Sequence, residues 1–354
     1  MIFRTLTAWL LLAGLLCAQP MRGTYIDVLF EGADEIRAAD TPKLLDAGFN
    51  LFASTIRGQA ATDPNSIDAK WLDTLKAGNA KAIVIPNVLT PQQFKVLAEK
   101  WPEVVIGYHL QDDANYKTTA EITAAYNAVK PFLAGTTAYI TVAKNTRHAD
   151  YGGLVPWYHV QCYLGKAVTA GDGFKQYAYD GTLAARAAVP ATGKLFGAGY
   201  LGKNPTPYFG RRDPVWQAND FASPYVQEAA IWLQLMAGAD HIVSYTAYSI
   251  APTFPASESR IAERWDLLPG WKLINARIKS LDRFLAGGVR TTKVDGKSCI
   301  GEWKLASGET LIVTVDLTSE FYPRTDWEIK TPVPATVTTL RVTSTGEIKV
   351  EKLP

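Results

Sequence analysis

Cysteine is nearly missing from this chain, with three in 354 residues, and one of these, Cys17, sits in the N-terminal leader. The other two, Cys162 and Cys299, fall in different expected domains, so a structural disulfide between them is not favoured. Histidine is almost as scarce. His109, His148, His159 and His241 show no zinc-type spacing such as the helical HExxH pattern, so no catalytic metal is expected and no cofactor is called for. An excess of one charge is lacking too. The net charge is +2 and no block of Lys or Arg stands out, which argues against nucleic acid as a partner. Beyond the N-terminus no run is long and apolar enough to span a bilayer, and the chain carries neither an internal repeat nor a low-complexity segment.

What is present is the composition of a folded domain, 47% hydrophobic and 20% charged, with length enough for one barrel and a small extra module. Ten Trp and sixteen Tyr make it fairly rich in aromatics. Core and interface packing is the plainer use of those rings, and stacking against sugar rings the sharper one. At the N-terminus Arg4 precedes an apolar run over 6–16, followed by Cys17-Ala18-Gln19-Pro20. A run of about a dozen residues is short for a membrane span and fits a signal peptide, expected over 1–19 with cleavage near Ala18. The expected destination is secreted or periplasmic. Lipid anchoring at Cys17 is less favoured, because Leu16 is large where a small residue is wanted.

From 20 to 286, short apolar segments alternate with helical ones. Strands are expected over 25–30, 49–54, 82–87, 104–111, 138–143, 158–163, 194–200 and 241–246. Helical periodicity falls over 67–77, 91–100, 119–132, 174–189, 224–237 and about 271–285. Thr90-Pro91 and Ser223-Pro224 place a capping hydroxyl before a first-turn proline. Eight strands with eight connections predict an α/β fold, a (β/α)8 TIM barrel. Gly287-Gly288 then breaks the pattern. Residues 287–354 read as short strands separated by Asp295-Gly296, Ser307-Gly308 and Thr345-Gly346, a small C-terminal antiparallel β-sandwich packed against the barrel.

The chemistry is sought at the strand ends. Residues 104–115 read VVIGYHLQDDAN, an alternating apolar run that stops at two adjacent carboxylates. Strict alternation puts Val104, Ile106, Tyr108 and Leu110 on the outer face, with Val105, Gly107, His109, Gln111 and Asp113 inward. Asp113 is then aimed into the pocket, and Asp112 toward the loop or a neighbouring element. The same rule turns Asp27 and Glu31 inward on the first strand, Tyr139 and Thr141 on the fifth, and His159, Gln161 and Tyr163 on the sixth. Asn87 closes the third strand and Tyr245 stands near the end of the eighth. Trp157 and Trp216 are expected in loops above the barrel, and Asp213 in the long seventh connection. Glu228, inside a helix, reads as a packing or solvated residue. Several strands thus bring polar groups to the face where barrel enzymes do chemistry.

At this point the chain resembles the TIM-barrel glycoside hydrolases. The segment IGYHLQDDA (106–114) resembles their fourth strand, VQCY (160–163) their sixth, and PYVQEAAIWLQLMAGADHIVSYTAY (224–248) their last helix and strand. A trailing β-sandwich also fits. The resemblance spans most of residues 24–354 and identifies no single family. It implies that Asp113 serves as general acid/base. Two departures stand out. Asp-Asp-Ala replaces the common Asp-Glu-Pro, and 194–200 (KLFGAGY) has no carboxylate where retaining members place their nucleophile.

Glycosidic hydrolysis needs a protonated acid and an ionised partner across the ring. Glu31 is the first choice for that partner and Asp213 the second. Asp112 and Asp113 are not expected to flank one bond, because neighbouring strand side chains diverge. Gln111, Gln161, Asn87, Tyr163, Tyr245, Trp157, Trp216 and Asp213 make up the expected substrate-binding set. The reading is an exported enzyme that cleaves poly- or oligosaccharide. The alternative is a carbohydrate-binding protein without catalysis on a degenerate glycosidase barrel.

Overall fold

Strands buried on both faces form a stable sheet only when helices cover one side and side chains fill the other. A computed structural model shows this arrangement. It describes residues 20–26, 33–86, 89–143, 147–162, 175–200, 224–248, 268–317, 320–323, 330–333, 336–343 and 346–348. Eight parallel strands pair in sequence order and close into a barrel: β1 (Arg22–Ile26), β2 (Leu51–Thr55), β3 (Lys81–Ile85), β4 (Val105–Gln111), β5 (Thr137–Ala143), β6 (Trp157–Gln161), β7 (Lys194–Tyr200) and β8 (His241–Tyr248). The first strand begins earlier than the apolar pattern predicts, and 27–30 lie outside the described residues.

The expected helices Ile67–Ala77, Pro91–Lys100 and Pro224–Ala237 are found with those bounds. Thr90 closes a capping box, its hydroxyl accepting from the Gln93 N–H while Gln93 accepts from the Thr90 N–H. Thr118 and Glu121 repeat the device ahead of Thr119–Val129. The helix Ala33–Asp46 was not anticipated, because Thr41-Pro42 at its centre reads as a break. Tertiary packing holds it in place. Arg37 bonds Asp68 and lies over the Trp71 ring at 4.5 Å, and the Trp71 indole donates to Thr41 at 2.9 Å.

Two apolar layers result. One lies between strands and helices. The other fills the barrel itself with Leu51, Ala53, Ile83, Tyr139, Trp157, Phe196 and Val243, so the lower half is packed rather than open.

After the barrel come β9 (Val289–Asp295), β10 (Ser298–Lys304), β11 (Thr310–Asp316), β12 (Glu320–Pro323), β13 (Lys330–Val333), β14 (Thr336–Val342) and β15 (Gly346–Ile348). They form an antiparallel five-stranded sheet in the order β15-β14-β11-β10-β9 and a two-stranded β12–β13 ribbon. Gly296 (φ 56°) and Gly308 (φ 90°) occupy two of the expected hairpin turns in the left-handed conformation those turns require. The five-stranded sheet packs on the helix Pro224–Ala237. Trp303 meets Trp232 at 6.1 Å, and Thr292 donates to the Met236 carbonyl at 3.0 Å. Cys162 and Cys299 are both buried and are not joined in a disulfide.

Candidate functional site

Two irregularities in β4 decide where its polar end points. The register with β3 runs Ala82↔Val105 and then Ile83↔Gly107; that with β5 runs His109↔Tyr139 and then Gln111↔Ile140. Each inserts an extra β4 residue, a β-bulge, and each inverts the inside–outside alternation beyond it. Ahead of the first, Val105 joins the outer layer beside Val104, while the inserted Ile106 packs on the interior cluster, the reverse of the expectation from strict alternation. Gly107 faces inward as expected. A Cβ there would lie 3.1 Å from Ile83 and 3.2 Å from Trp157, so glycine makes this close approach feasible.

The second bulge acts on the carboxylates. Asp112, expected to face the loop or a neighbouring element, reaches the neighbouring strand β5. Its Oδ1 accepts from the Thr141 hydroxyl and, at 3.3 Å, from the Gln161 amide. Asp113 follows in the left-handed conformation, at φ 45° and ψ 50°. Its N–H donates to the Thr141 hydroxyl at 2.9 Å, and the Asp112 charge and the Gln161 amide both act on its carboxyl. A bulge followed by a left-handed residue leaves the Asp113 carboxyl within electrostatic reach of both Asp112 and Gln161.

Thr141 links the pair, accepting from the Asp113 backbone and donating to the Asp112 carboxylate. Asn115 fixes the turn from the other side by accepting from the Ala143 N–H at 2.9 Å. Burial raises the Asp113 carboxyl above the usual carboxylate range, the adjacent Asp112 charge raises it further, and the Gln161 hydrogen bond opposes both. A half-buried carboxyl that keeps its proton to higher pH is suited to donate one.

Beneath the pair lies a buried layer of His109, Tyr25, Tyr139 and His159. The Tyr25 and Tyr139 hydroxyls are 3.0 Å apart, and Tyr139 bonds Nδ1 of His159. His109 packs edge-on to Tyr139 at 5.2 Å. Burial drives His159 down to about 3; it also lowers His109, against the pull of the Asp112 charge. The His159 ring is held neutral at ordinary pH.

The expected site residues divide accordingly. Asp113 and Gln161 stand at the neighbouring ends of β4 and β6, Gln161 donating to Asp112, while Gln111, the last residue of β4, turns its amide onto the Asp112 carbonyl. Trp157 is corrected. It opens β6 rather than standing in a loop, and its ring packs on Phe196 at 5.3 Å inside the barrel. Tyr245 lies in β8 with its side chain outside the described set. Glu31, Asn87, Tyr163, Asp213 and Trp216 lie outside the described residues. Sequence reasoning left open which neighbour Asp112 meets, and no local signal marks the bulge that sends it to Thr141 and Gln161.

No family model matches the chain, and no curated protein does. Solved structures do match it. A protein described as a glycoside hydrolase superposes with a TM-score of 0.57 at 11% identity, over 94% of this chain and 89% of that one. A family 5 mannosidase from Rhizomucor miehei, in complex with mannosyl-fructose, gives 0.55 at 9% identity, over 76% and 95%. AmyP in complex with maltotriose gives 0.50 at 11%, over 86% and 88%. At such identities the likeness is one of fold, a barrel shared with glycoside hydrolases.

Proposed function

We propose that this chain is an exported glycoside hydrolase that cleaves glycosidic bonds in a poly- or oligosaccharide, with Asp113 as the general acid/base. One observation carries the reading: Asp113 sits half-buried at the C-terminal end of a barrel strand, its carboxyl raised by burial and by Asp112. Supporting it are the barrel shared with glycoside hydrolases and, for export, the apolar leader over 6–16.

In this mechanism the protonated Asp113 gives its proton to the leaving glycosidic oxygen while an ionised carboxylate acts across the sugar ring. Separation of the two groups sets the outcome, about 5–5.5 Å for retention and 6.5–9.5 Å for inversion. Glu31 is our first choice for the second group and Asp213 the next. Asp112 is committed to Thr141 and Gln161, so its part is to hold a negative charge beside Asp113 and keep that proton in place. Gln111 and Gln161 supply hydrogen bonds at the mouth. Asn87, Tyr163, Tyr245 and Trp216 complete the sugar-binding set.

The test is hydrolysis of a polysaccharide panel by the mature protein and its Asp113→Asn variant, read as released reducing ends. Wild type should release sugar from at least one member, and the variant should be slower by about 10²- to 10⁴-fold at unchanged circular dichroism. Variant activity within a few-fold of wild type would remove Asp113 from the chemistry. Binding without release by wild type would favour a carbohydrate-binding protein, a reading that the carboxylate-free 194–200 segment motivates.

A further inference from the structure

The turn after the two carboxylates sends one aromatic ring outward. Ala114–Tyr116 form a single 3-10 turn immediately after Asp113. Ala114 is fully buried, yet Tyr116 is 81% exposed. Among the described residues the strongly exposed large apolar side chains are Val96, Tyr116, Leu183, Val289 and Val294, so Tyr116 is the aromatic member of that set. It stands on the barrel face that bears the carboxylates.

The backbone beneath the ring is fixed. The Tyr116 N–H donates to the Asp113 carbonyl at 2.9 Å and the Lys117 N–H to the Ala114 carbonyl at 3.0 Å. Asn115 is tied to the end of β5 through Ala143. The Lys117 carbonyl accepts from the Tyr151 hydroxyl at 2.8 Å. An aromatic left in water on an immobilised turn forfeits the burial that usually rewards its area. It is also a surface whose ordering cost has been met before any ligand arrives, which favours affinity. The turn rises about 6 Å from Asp113 to Tyr116, a span suited to one further sugar ring beyond the bond at Asp113. Pyranose rings present flat C–H faces that stack on such a surface.

We propose that Tyr116 is the stacking platform of an outer sugar subsite, which selects extended oligosaccharide chains over single sugars carrying small leaving groups. This rests on the reading of the β4–β6 rim as a carbohydrate site, and it is tested by binding rather than turnover.

The experiment is affinity electrophoresis through gels containing soluble starch, galactomannan or mixed-linkage β-glucan, in an Asp113→Asn background that spares the polymer. The background protein should be retarded by at least one of the three. Tyr116→Ala should weaken that retardation roughly tenfold, and Tyr116→Phe should preserve it, because the ring face and not the hydroxyl makes the contact. Equal retardation of the background protein and Tyr116→Ala would overturn the proposal, as would equal loss in Tyr116→Phe or no retardation by any polymer. Ring-dependent retardation with no hydrolysis by wild type would keep the platform and reject the hydrolase. Hydrolysis with retardation indifferent to Tyr116 would do the reverse.

Discussion

At the scale of single residues, Thr141 is the pivot of the site. One hydroxyl serves both carboxylate residues, accepting from the backbone of Asp113 and donating to the side chain of Asp112. Thr141→Val keeps the shape and deletes the hydroxyl. It should cost about 1–3 kcal/mol in urea unfolding and up to about 10²-fold in kcat through misplacement of Asp113, with Thr141→Ser restoring most of both. Wild-type kinetics for the valine variant would show that Thr141 positions nothing. The inward placing of Thr141, His159 and Gln161 was legible in the sequence, because β5 and β6 keep strict alternation through paired registers Thr141↔His159 and Ala143↔Gln161. The particular neighbour that Asp112 meets was not legible. Its direction depends on one extra residue between His109 and Gln111, and that insertion answers to the neighbouring strand rather than to any side chain in β4.

At the scale of elements, helices with a hydroxyl cap and a first-turn proline or acid could be read directly. Thr118→Ala removes the side-chain half of one capping box and should lower stability by about 1 kcal/mol in chemical denaturation; no change would mean that the box is idle. Ala33–Asp46 escaped because its stability comes from the contacts of its Arg37 with Asp68 and Trp71, partners distant in the chain. Glu228, read as a structural residue, is one. It is buried in the helix Pro224–Ala237 and accepts from Arg277 at 2.5 and 2.7 Å. Burial raises its carboxyl, and the Arg277 charge draws it back. Arg277→Met strands that carboxylate and should cost about 3–5 kcal/mol, whereas replacing both residues with apolar ones should recover much of the loss. A single variant as stable as wild type would show the pair to be dispensable.

At the scale of the whole molecule, the barrel and the trailing strands were visible as a change in period at Gly287-Gly288, from helical spacing to two-residue alternation. β12 and β13 were missed. The buried histidines set how this fold answers to acid. Burial lowers His159 from 6.5 to about 3 and His241 from 6.5 to about 4. Below about pH 6.5 the unfolded chain binds protons that the folded chain refuses, so stability is lost as pH falls. Each histidine contributes up to about 1.4 kcal/mol per pH unit through that window. His159→Gln should therefore show a shallower loss than wild type between pH 6.5 and 4.5 in urea unfolding, whatever its absolute stability. Parallel curves would mean that His159 is protonated in the folded state.

The electrostatic coupling of Asp112 and Asp113 is the claim on which the site depends, and it is open to direct titration. Carboxyl-carbon NMR of the wild-type protein should show Asp113 protonating above the usual range. Asp112→Asn removes the adjacent negative charge and should move that titration to lower pH. An Asp113 that titrates in the ordinary range, or one indifferent to Asp112→Asn, would contradict the shared geometry and the acid role drawn from it.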